Sequence, residues 1–509
     1  MKKYKSILGL LLAGLLTLCG ALSLAQTGEG ENIILGRPSD DSIVIHVLVD
    51  DGIGVFAEFG ATTGRYSDRT DVVESTVDGT AEILIDGLQA DTRYFYRLRY
   101  QTPDDSSIDS GEEHSFHTQR VVGSTFSFGV QGDSHPERTG PGRMFHPDLY
   151  VRTMKNVESA QPDLYFMLGD DFSISGAMYA NRLSQQLVDD VYSNQRNYLS
   201  LMAHSTSLFL VNGNHEEARR HLLLLKGMYE GSENAPIFAG RARTKFYPLP
   251  FPTHFYTGDN QRVPGVGLPR DYYAFTWGDA LFIAIDPYWH SPVAVGGKRN
   301  KAFDESIDPE TGRKDERIPH YLPEESWAAT IGDAQYQWFN RTLEQSDAKY
   351  KFVFAHHVRG TGRGAVEMVR EFEWGGYGAE GTWEFDEMRP DWELPIHQLM
   401  VKHGVTIFFQ GHDHLFARQE IDGIVYQEVP NPADATPGEE FCGSCFYEYY
   451  KSGIVLPNSG YLNVTVSPEQ VRVDYVKSYL PEGFELWPGI NVELDRHDNQ
   501  EIAYSYVVN

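Results

Sequence analysis

Cysteine is scarce, with three in 509 residues. Cys19 falls in an N-terminal apolar run, so only Cys442 and Cys445, spaced as "CGSC", remain for the rest of the chain. That excludes a disulfide framework, and no further ligands stand nearby for a zinc knuckle. The pair predicts one small local disulfide. Basic charge is also short: 43 Lys and Arg face 72 Asp and Glu, for a formal charge of −29. Such a field repels polyphosphate backbones, so nucleic acid is not an expected partner, while solubility is favoured. Long apolar runs are missing as well. The stretch Ile7 to Leu18 is short for a bilayer, and no stable membrane span is expected.

What is present begins with "MKKYKSILGLLLAGLLTLCGALSLAQ". Lys2, Lys3 and Lys5 precede the apolar run, and Ser23 and Ala25 are small residues placed for cleavage before Gln26. Residues 1–25 therefore read as a signal peptide, and the protein as secreted or periplasmic. Removing its three lysines would take the charge from −29 to −32. Lipid anchoring at Cys19 is the weaker alternative, because the bulky Leu18 fits a lipobox poorly.

Residues 32–120 carry short alternating runs, "SIVIHVLV", "GVFAEFG", "AEILIDGL" and "RYFYRLRYQT", separated by Gly and Asp turns. They predict a small all-β sandwich. Its "LQADTRYFYRLRY" and closing "SFHTQR" resemble a fibronectin type III-like domain, which implies spacing or packing and not chemistry. A second domain is expected over 124–480, with a C-terminal extension over 481–509.

In the second domain five apolar runs each end in a polar motif. They are "STFSFGVQ" before "GDSH", "DLYFML" before "GDD", "SLFLV" before "NGNHE", "KFVF" before "AHH", and "VTIFFQ" before "GHDH". Helical spacing lies between several of them, as at Tyr150, Met154 and Val157, or at Ile396, Leu399 and Met400. "YYAFTWGDALFIAID" predicts two strands joined by a Gly-Asp turn. Alternating strands and helices give an α/β class, in which sites gather at the carboxyl ends of strands. Two long stretches, 287–333 and 358–393, exceed what connectors need. The second directly follows a motif strand and is expected to be a lid.

The motif residues form a donor set: Asp133, His135, Asp170, Asn214, His215, His356, His357, His412 and His414. Oxygen and nitrogen donors without sulfur suit Mn, Fe or Zn. In extended backbone, D-x-H and H-x-H would aim both side chains to one face. Each motif alone is a common turn or cap. Their joint recurrence at strand ends is what points to a metal centre.

This order of motifs resembles the calcineurin-like metallophosphoesterase superfamily, whose run of D-x-H, G-D, G-N-H-[DE], H and G-H-x-H it matches over about residues 124–475. The resemblance implies a two-sheet α/β/β/α sandwich holding two transition metal ions, Fe, Zn or Mn. It places Asp133, His135 and His414 on one metal and Asn214, His356 and His412 on the other, with Asp170 bridging both. His356 is the family's usual choice from a histidine pair, and His357 is the alternative. His215 matches a histidine that does not ligate metal but contacts the phosphate and assists the leaving group. Asp170 and His215 are thus the catalytic candidates, and Asn214, His215 and Arg359 the substrate-binding ones. The preceding β-sandwich is similar to the arrangement in secreted purple acid phosphatase-like and alkaline phosphatase D-like proteins.

The sequence departs from purple acid phosphatases at two places. His135 and Ser173 stand where that group has glycine and a tyrosine ligand, so an iron–tyrosinate centre is not expected. Some phosphoprotein phosphatases carry an acid at the Ser173 position to orient the catalytic histidine. Asp171 or Glu216 is expected to substitute. Arg359 and Arg363 follow the fourth motif within reach of a phosphate or a substrate tail, but surface pairing with the many acids is the role expected of them. Asp286 reads as a cap or turn residue, His204 and His403 as structural, and His221 as a candidate to line the site. The function implied is hydrolysis of small phosphomonoesters or phosphodiesters by metal-bound hydroxide. A nucleotidase or phospholipid-type phosphodiesterase, or a catalytically degenerate binding protein, is the alternative.

Overall fold

The computed structural model describes residues 31–102, 108–140, 144–224, 232–293, 295, 327–358, 363–434, 449–487, 490–491 and 498–509. The expected signal segment, the Cys442–Cys445 pair and Arg359 lie outside the described residues.

The N-terminal region is built of strands. Ile33–Gly36, Ile43–Leu48 and Thr80–Ile85 form one antiparallel sheet. Gly54–Gly60 and Arg93–Gln101 form the spine of a second. Alternation decides which faces meet: Ile43, Ile45, Val47, Ile83 and Ile85 from the first sheet share one core with Val55, Ala57, Tyr96 and Leu98 from the second. The result is the expected all-β sandwich.

From Phe126 onward strands and helices alternate. In chain order they are β1 (Phe126–Gln131), α1 (Pro147–Ala160), β2 (Leu164–Met167), α2 (Gln185–Ala203), β3 (Ser207–Leu210), α3 (Ala235–Phe246), β4 (Tyr273–Trp277) and β5 (Ala280–Ala284). There follow α4 (Asp333–Glu344), β6 (Tyr350–Phe354), α5 (Ile396–Lys402), β7 (Ile407–Gln410), β8 (Phe416–Ile421), β9 (Ile424–Glu428), β10 (Gly460–Val466), β11 (Val471–Lys477) and β12 (Ile502–Val508). Local chemistry sets several boundaries. Pro147 opens α1, where its missing N–H costs nothing, and the Ser184 hydroxyl caps α2 by accepting from the Leu187 N–H.

The strands assemble into two sheets. One runs β3-β2-β1-β10-β11-β12, and the other runs β4-β5-β6-β7-β9-β8 with short strands Thr257–Gly258 and Ile454–Leu456 at its edges. β1, β2 and β3 are parallel, as are β5, β6, β7 and β9. The sheets face each other through an aromatic layer. Phe166 stacks on Phe354 at 4.1 Å between centroids, and Phe209 on Phe275 at 4.8 Å. The outer face of the first sheet is covered by α1, α2 and α3, and that of the second by α4, α5 and neighbouring loops. This is the α/β/β/α sandwich that the resemblance implied.

Two stretches differ from their sequence reading. Residues 502–508, within the expected C-terminal extension, are β12, the edge strand of the first sheet, and Tyr506 donates to Gln427 at 2.9 Å. The described part of the expected lid, 363–393, is packed and not poised over a cleft. Phe372, Trp374, Phe385 and Trp392 are buried, Trp392 stacks on Tyr336 at 3.9 Å, and Trp374 meets Phe408 edge-on. These aromatics join α4 and α5 in one core against the outer face of the second sheet.

The sandwich is docked on the α/β domain by a buried arginine. Arg196 of α2 donates to the side-chain and main-chain oxygens of Asn32, both at 2.8 Å, and to the His46 carbonyl at 3.0 Å and ring nitrogen at 3.1 Å. Burial first, and the Arg196 charge second, push the His46 imidazole down to about 3.

Candidate metal centre

Each motif leaves the carboxyl end of a parallel strand: Asp133 and His135 after β1, Asp170 after β2, Asn214 and His215 after β3, His356 after β6, and His412 and His414 after β7. The two sheets bring these five loops to one place. Ligand atoms of Asp133, Asp170, His356 and His412 lie within 4.8 Å of one another, as do those of Asp133, His135 and His414, and those of His135, Asp170 and His215. Asp170 Oδ2 stands between the groups, 3.3 Å from His356 Nε2 and 3.6 Å from His135 Nε2. Asp133 Oδ2 lies 3.0 Å from His414 Nε2, and Asn214 Oδ1 lies 3.0 Å from His356 Nε2.

The backbone reaches this arrangement differently from the extended geometry expected of D-x-H and H-x-H. His135, Asp170, His412 and His414 all take positive φ, at 52°, 59°, 78° and 52°. Left-handed residues turn each loop back over the strand ends, at a cost of about 1–3 kcal/mol apiece that the surrounding structure must offset. Two motif glycines make the close approach possible. A Cβ on Gly213 would sit 2.3 Å from the Asp170 amide nitrogen, and one on Gly411 would sit 2.5 Å from Asp133 Oδ1.

A second layer of hydrogen bonds fixes the donors. The His356 Nδ1–H donates to the Leu168 carbonyl at 2.8 Å, which leaves the Nε2 lone pair facing the cluster. His135 Nδ1 is 2.9 Å from Glu137 Oε1. The buried Glu216 accepts from the amides of Asp170, Asp171, Phe172 and Gly213 at 2.8–3.1 Å, so one carboxylate holds two motif loops. Burial, with the Asp170 charge beside it, lifts the Glu216 carboxyl to about 7. Against the opposing effect of burial, Asp170 and Asp133 push the His356 imidazole up to about 10, so in the absence of a bound cation the Nε2 lone pair holds a proton in its place. The two carboxylates thus draw positive charge to the place where the donors converge. Oxygen and nitrogen donors, directed lone pairs and this excess of negative charge fit bound transition metals.

The histidine pair divides its work. His356 reaches the cluster, whereas His357 Nε2 lies 3.7 Å from Asp413 and its Nδ1–H donates to the Val358 carbonyl. Asp413 turns away from the donors, accepting from the Gly364 amide at 3.0 Å and the Tyr450 hydroxyl at 2.8 Å. Arg363 pairs with this buried Asp413. Asp286 accepts from the amides of Tyr288 and Trp289 as a turn residue, and from Asn212 at 2.7 Å.

His215 stands apart from the other donors. Its side chain is 26% exposed, against at most 9% for Asp133, His135, Asp170, His356 and His414. The expected partners Asp171 and Glu216 do not touch it. Asp171 is taken by Ser134 and Gln131, and Glu216 by the loop amides. Instead the His215 Nδ1–H donates to Ser175 Oγ at 3.0 Å, and that hydroxyl donates to Glu217 Oε1 at 2.6 Å. Arg138 donates to His215 Nε2 at 3.3 Å. Burial pushes the His215 imidazole down to about 3, so its ring is neutral. Ser175, Glu217 and Arg138 carry no motif of their own. Their only signal in the sequence is nearness to "GDD", "GNHE" and "GDSH".

The pattern of the calcineurin-like phosphoesterase family matches residues 126–416. No curated protein matches the chain in sequence. Among solved structures, the purple acid phosphatase PPD1 from yellow lupin seeds is similar over 94% of this chain and 73% of its own, with 14% identity and a TM-score of 0.55. A structure of PhoD is similar over 94% of this chain and 91% of its own, with 14% identity and a TM-score of 0.60. At that identity the likeness is one of fold.

Proposed function

The chain belongs to the calcineurin-like phosphoesterase family and is a metal-dependent phosphoric ester hydrolase; on that premise we propose that it is an exported enzyme acting on small phosphomonoesters and phosphodiesters. The observation that carries this reading is the convergence of seven donors beside one accessible histidine–arginine pair. Asp133, His135 and His414 would hold one metal ion, Asn214, His356 and His412 the other, and Asp170 both. Two such ions supply an acidified water and a positive clamp for phosphate oxygens.

The chain's own residues supply the rest. The Arg138 guanidinium, placed at His215 Nε2, offers a charged donor to an incoming phosphate oxygen. His215 Nε2 is the accessible ring atom; the negative charge of a bound phosphate ester beside it raises its affinity for a proton, which Nε2 then takes up and passes to the leaving oxygen. The Glu217–Ser175 pair fixes the His215 tautomer and ring orientation from the opposite nitrogen. Glu216 keeps the Asp170 and Asn214 loops in register while substrate exchanges.

Support for export is the lysine-flanked apolar segment at residues 1–25. Mass spectrometry of natively produced protein should find an N-terminus at Gln26. For the chemistry, p-nitrophenyl phosphate and its bis ester should be assayed after loading with Mn, Zn or Fe. Turnover of both esters is expected. Hydrolysis of neither, with any of the three metals bound, would sink the reading.

A further inference from the structure

A second buried donor cluster lies outside the centre described above and shares no residue with it. Asp259 follows the edge strand Thr257–Gly258, Asp271 precedes β4, and His290 follows β5. One ligand atom from each lies within 4.8 Å of the other two. Asp259 and Asp271 are each 1% exposed, and His290 Nε2 lies 3.7 Å from Asp271 Oδ2.

Hydrogen bonding has positioned this cluster without satisfying it. Asp259 Oδ1 accepts from the Gln261 amide at 2.8 Å, and Asp271 Oδ1 from the Tyr272 amide at 3.0 Å. Asp259 Oδ2, Asp271 Oδ2 and His290 Nε2 are buried and have no partner while both carboxyls are ionised; the two carboxyls are close enough to each other to share a proton, and Asp259 is within reach of the Tyr272 hydroxyl. Buried polar atoms are nearly always paired, and three orphans turned towards one another call for a common partner. Among the described residues no lysine or arginine forms an ion pair with Asp259 or Asp271. The Asp286 carboxylate adds negative charge close by, while its own oxygens are taken by Asn212, Tyr288 and Trp289. Burial, with the charges of Asp286 and Asp259, pushes the Asp271 carboxyl well above its usual range. The His290 ring is held by Tyr272, 5.5 Å away between centroids, and by Gly332, where a Cβ would meet His290 Cβ at 2.7 Å.

We propose that Asp259, Asp271 and His290 form a third, mononuclear cation site for a divalent transition ion of the zinc or manganese kind. Two carboxylate oxygens and one imidazole nitrogen are a three-ligand set that water completes to four-coordination. An imidazole donor disfavours calcium and magnesium, which take oxygen. The bound charge would remove the penalty of two buried, unpaired carboxylates.

The test is a metal count on full-length protein, stripped with chelator, reloaded with Zn or Mn and desalted. Asp271→Asn and His290→Gln should each bind one ion fewer per chain than wild type, with hydrolysis of p-nitrophenyl phosphate within about twofold of it. Equal counts in wild type and a folded variant would overturn the site, as two carboxyls sharing a proton predict. Zinc-edge anomalous scattering from wild-type crystals provides a second readout that does not depend on the folding of Asp271→Asn. A peak bounded by Asp259, Asp271 and His290 is expected, and its absence after zinc loading would refute the proposal.

Discussion

His215 shows how much a single side chain depends on neighbours that its motif does not name. Replacing it by Ala removes the accessible proton donor but none of the seven proposed ligands. Turnover should fall by about a hundredfold or more while the metal count is unchanged; loss of an ion in His215→Ala would show that the ring is itself a ligand. Ser175→Ala should act through orientation. It frees the ring to rotate, lowering kcat about tenfold with KM within about twofold, as measured by steady-state kinetics. A Ser175→Ala enzyme with wild-type kcat would mean that the Glu217–Ser175 pair is only structural. The donors themselves were legible in the sequence, because aspartates and histidines recur at strand ends. Their geometry was not. The extended backbone expected for D-x-H and H-x-H is replaced by left-handed turns at His135, His412 and His414, which residue identity does not signal. Ser175 was equally hidden, since it meets His215 across 40 residues of chain.

At the scale of elements, the aromatic layer between the sheets carries the site, because it fixes how the strand ends of one sheet face those of the other. Phe166 stacks on Phe209, Phe282 and Phe354 and is fully buried. Phe166→Ala should destabilise the protein by about 3–5 kcal/mol, read from the midpoint of denaturant unfolding. A shift equivalent to less than about 1 kcal/mol would mean that the layer collapses around the gap. The apolar runs announced these strands well, since each was bounded by turn residues and too short for a helix. The stretch 363–393 was misread for a physical reason. Its Gly and Trp content suits a lid as well as a packed excursion, and only the uncovered sheet face decides between them. Trp374 and Trp392 are spent on that face.

At the scale of the whole molecule, the junction of sandwich and α/β domain makes stability depend on pH. His46 is buried and neutral in the native state, with its pKa lowered to about 3, whereas an unfolded chain protonates it near 6.5. Between those values the unfolded state binds the extra proton. The contribution is therefore complete above about pH 6.5 and is lost progressively as pH falls towards 3. The slope is about 1.4 kcal/mol per pH unit for one proton. Unfolding free energies measured from pH 4 to pH 6.5 should show a slope smaller by about that amount in His46→Gln than in wild type. Identical slopes would place the proton uptake elsewhere. The strand patterns of residues 32–120 and 124–480 carried no sign of this junction, because a lone arginine in a helix reads as a solvent-facing residue until Asn32 and His46 are seen against it.

The order of strands also has a consequence for how the protein is made. β1 lies between β2, which follows it closely, and β10, whose Val466 pairs with Phe126 near the start of the domain. The first sheet cannot be finished until β10 has emerged, on the order of 330 residues after β1, which at about 5–20 residues per second takes roughly a quarter of a minute or more. For that interval β1 has an open flank where β10 belongs, and the Asp133 and His135 loop lacks the neighbours that hold it in its strained turn. The Asp133 and His135 loop is therefore unbraced until β10 has emerged, and over the same interval the α/β domain is open to capture by a chaperone.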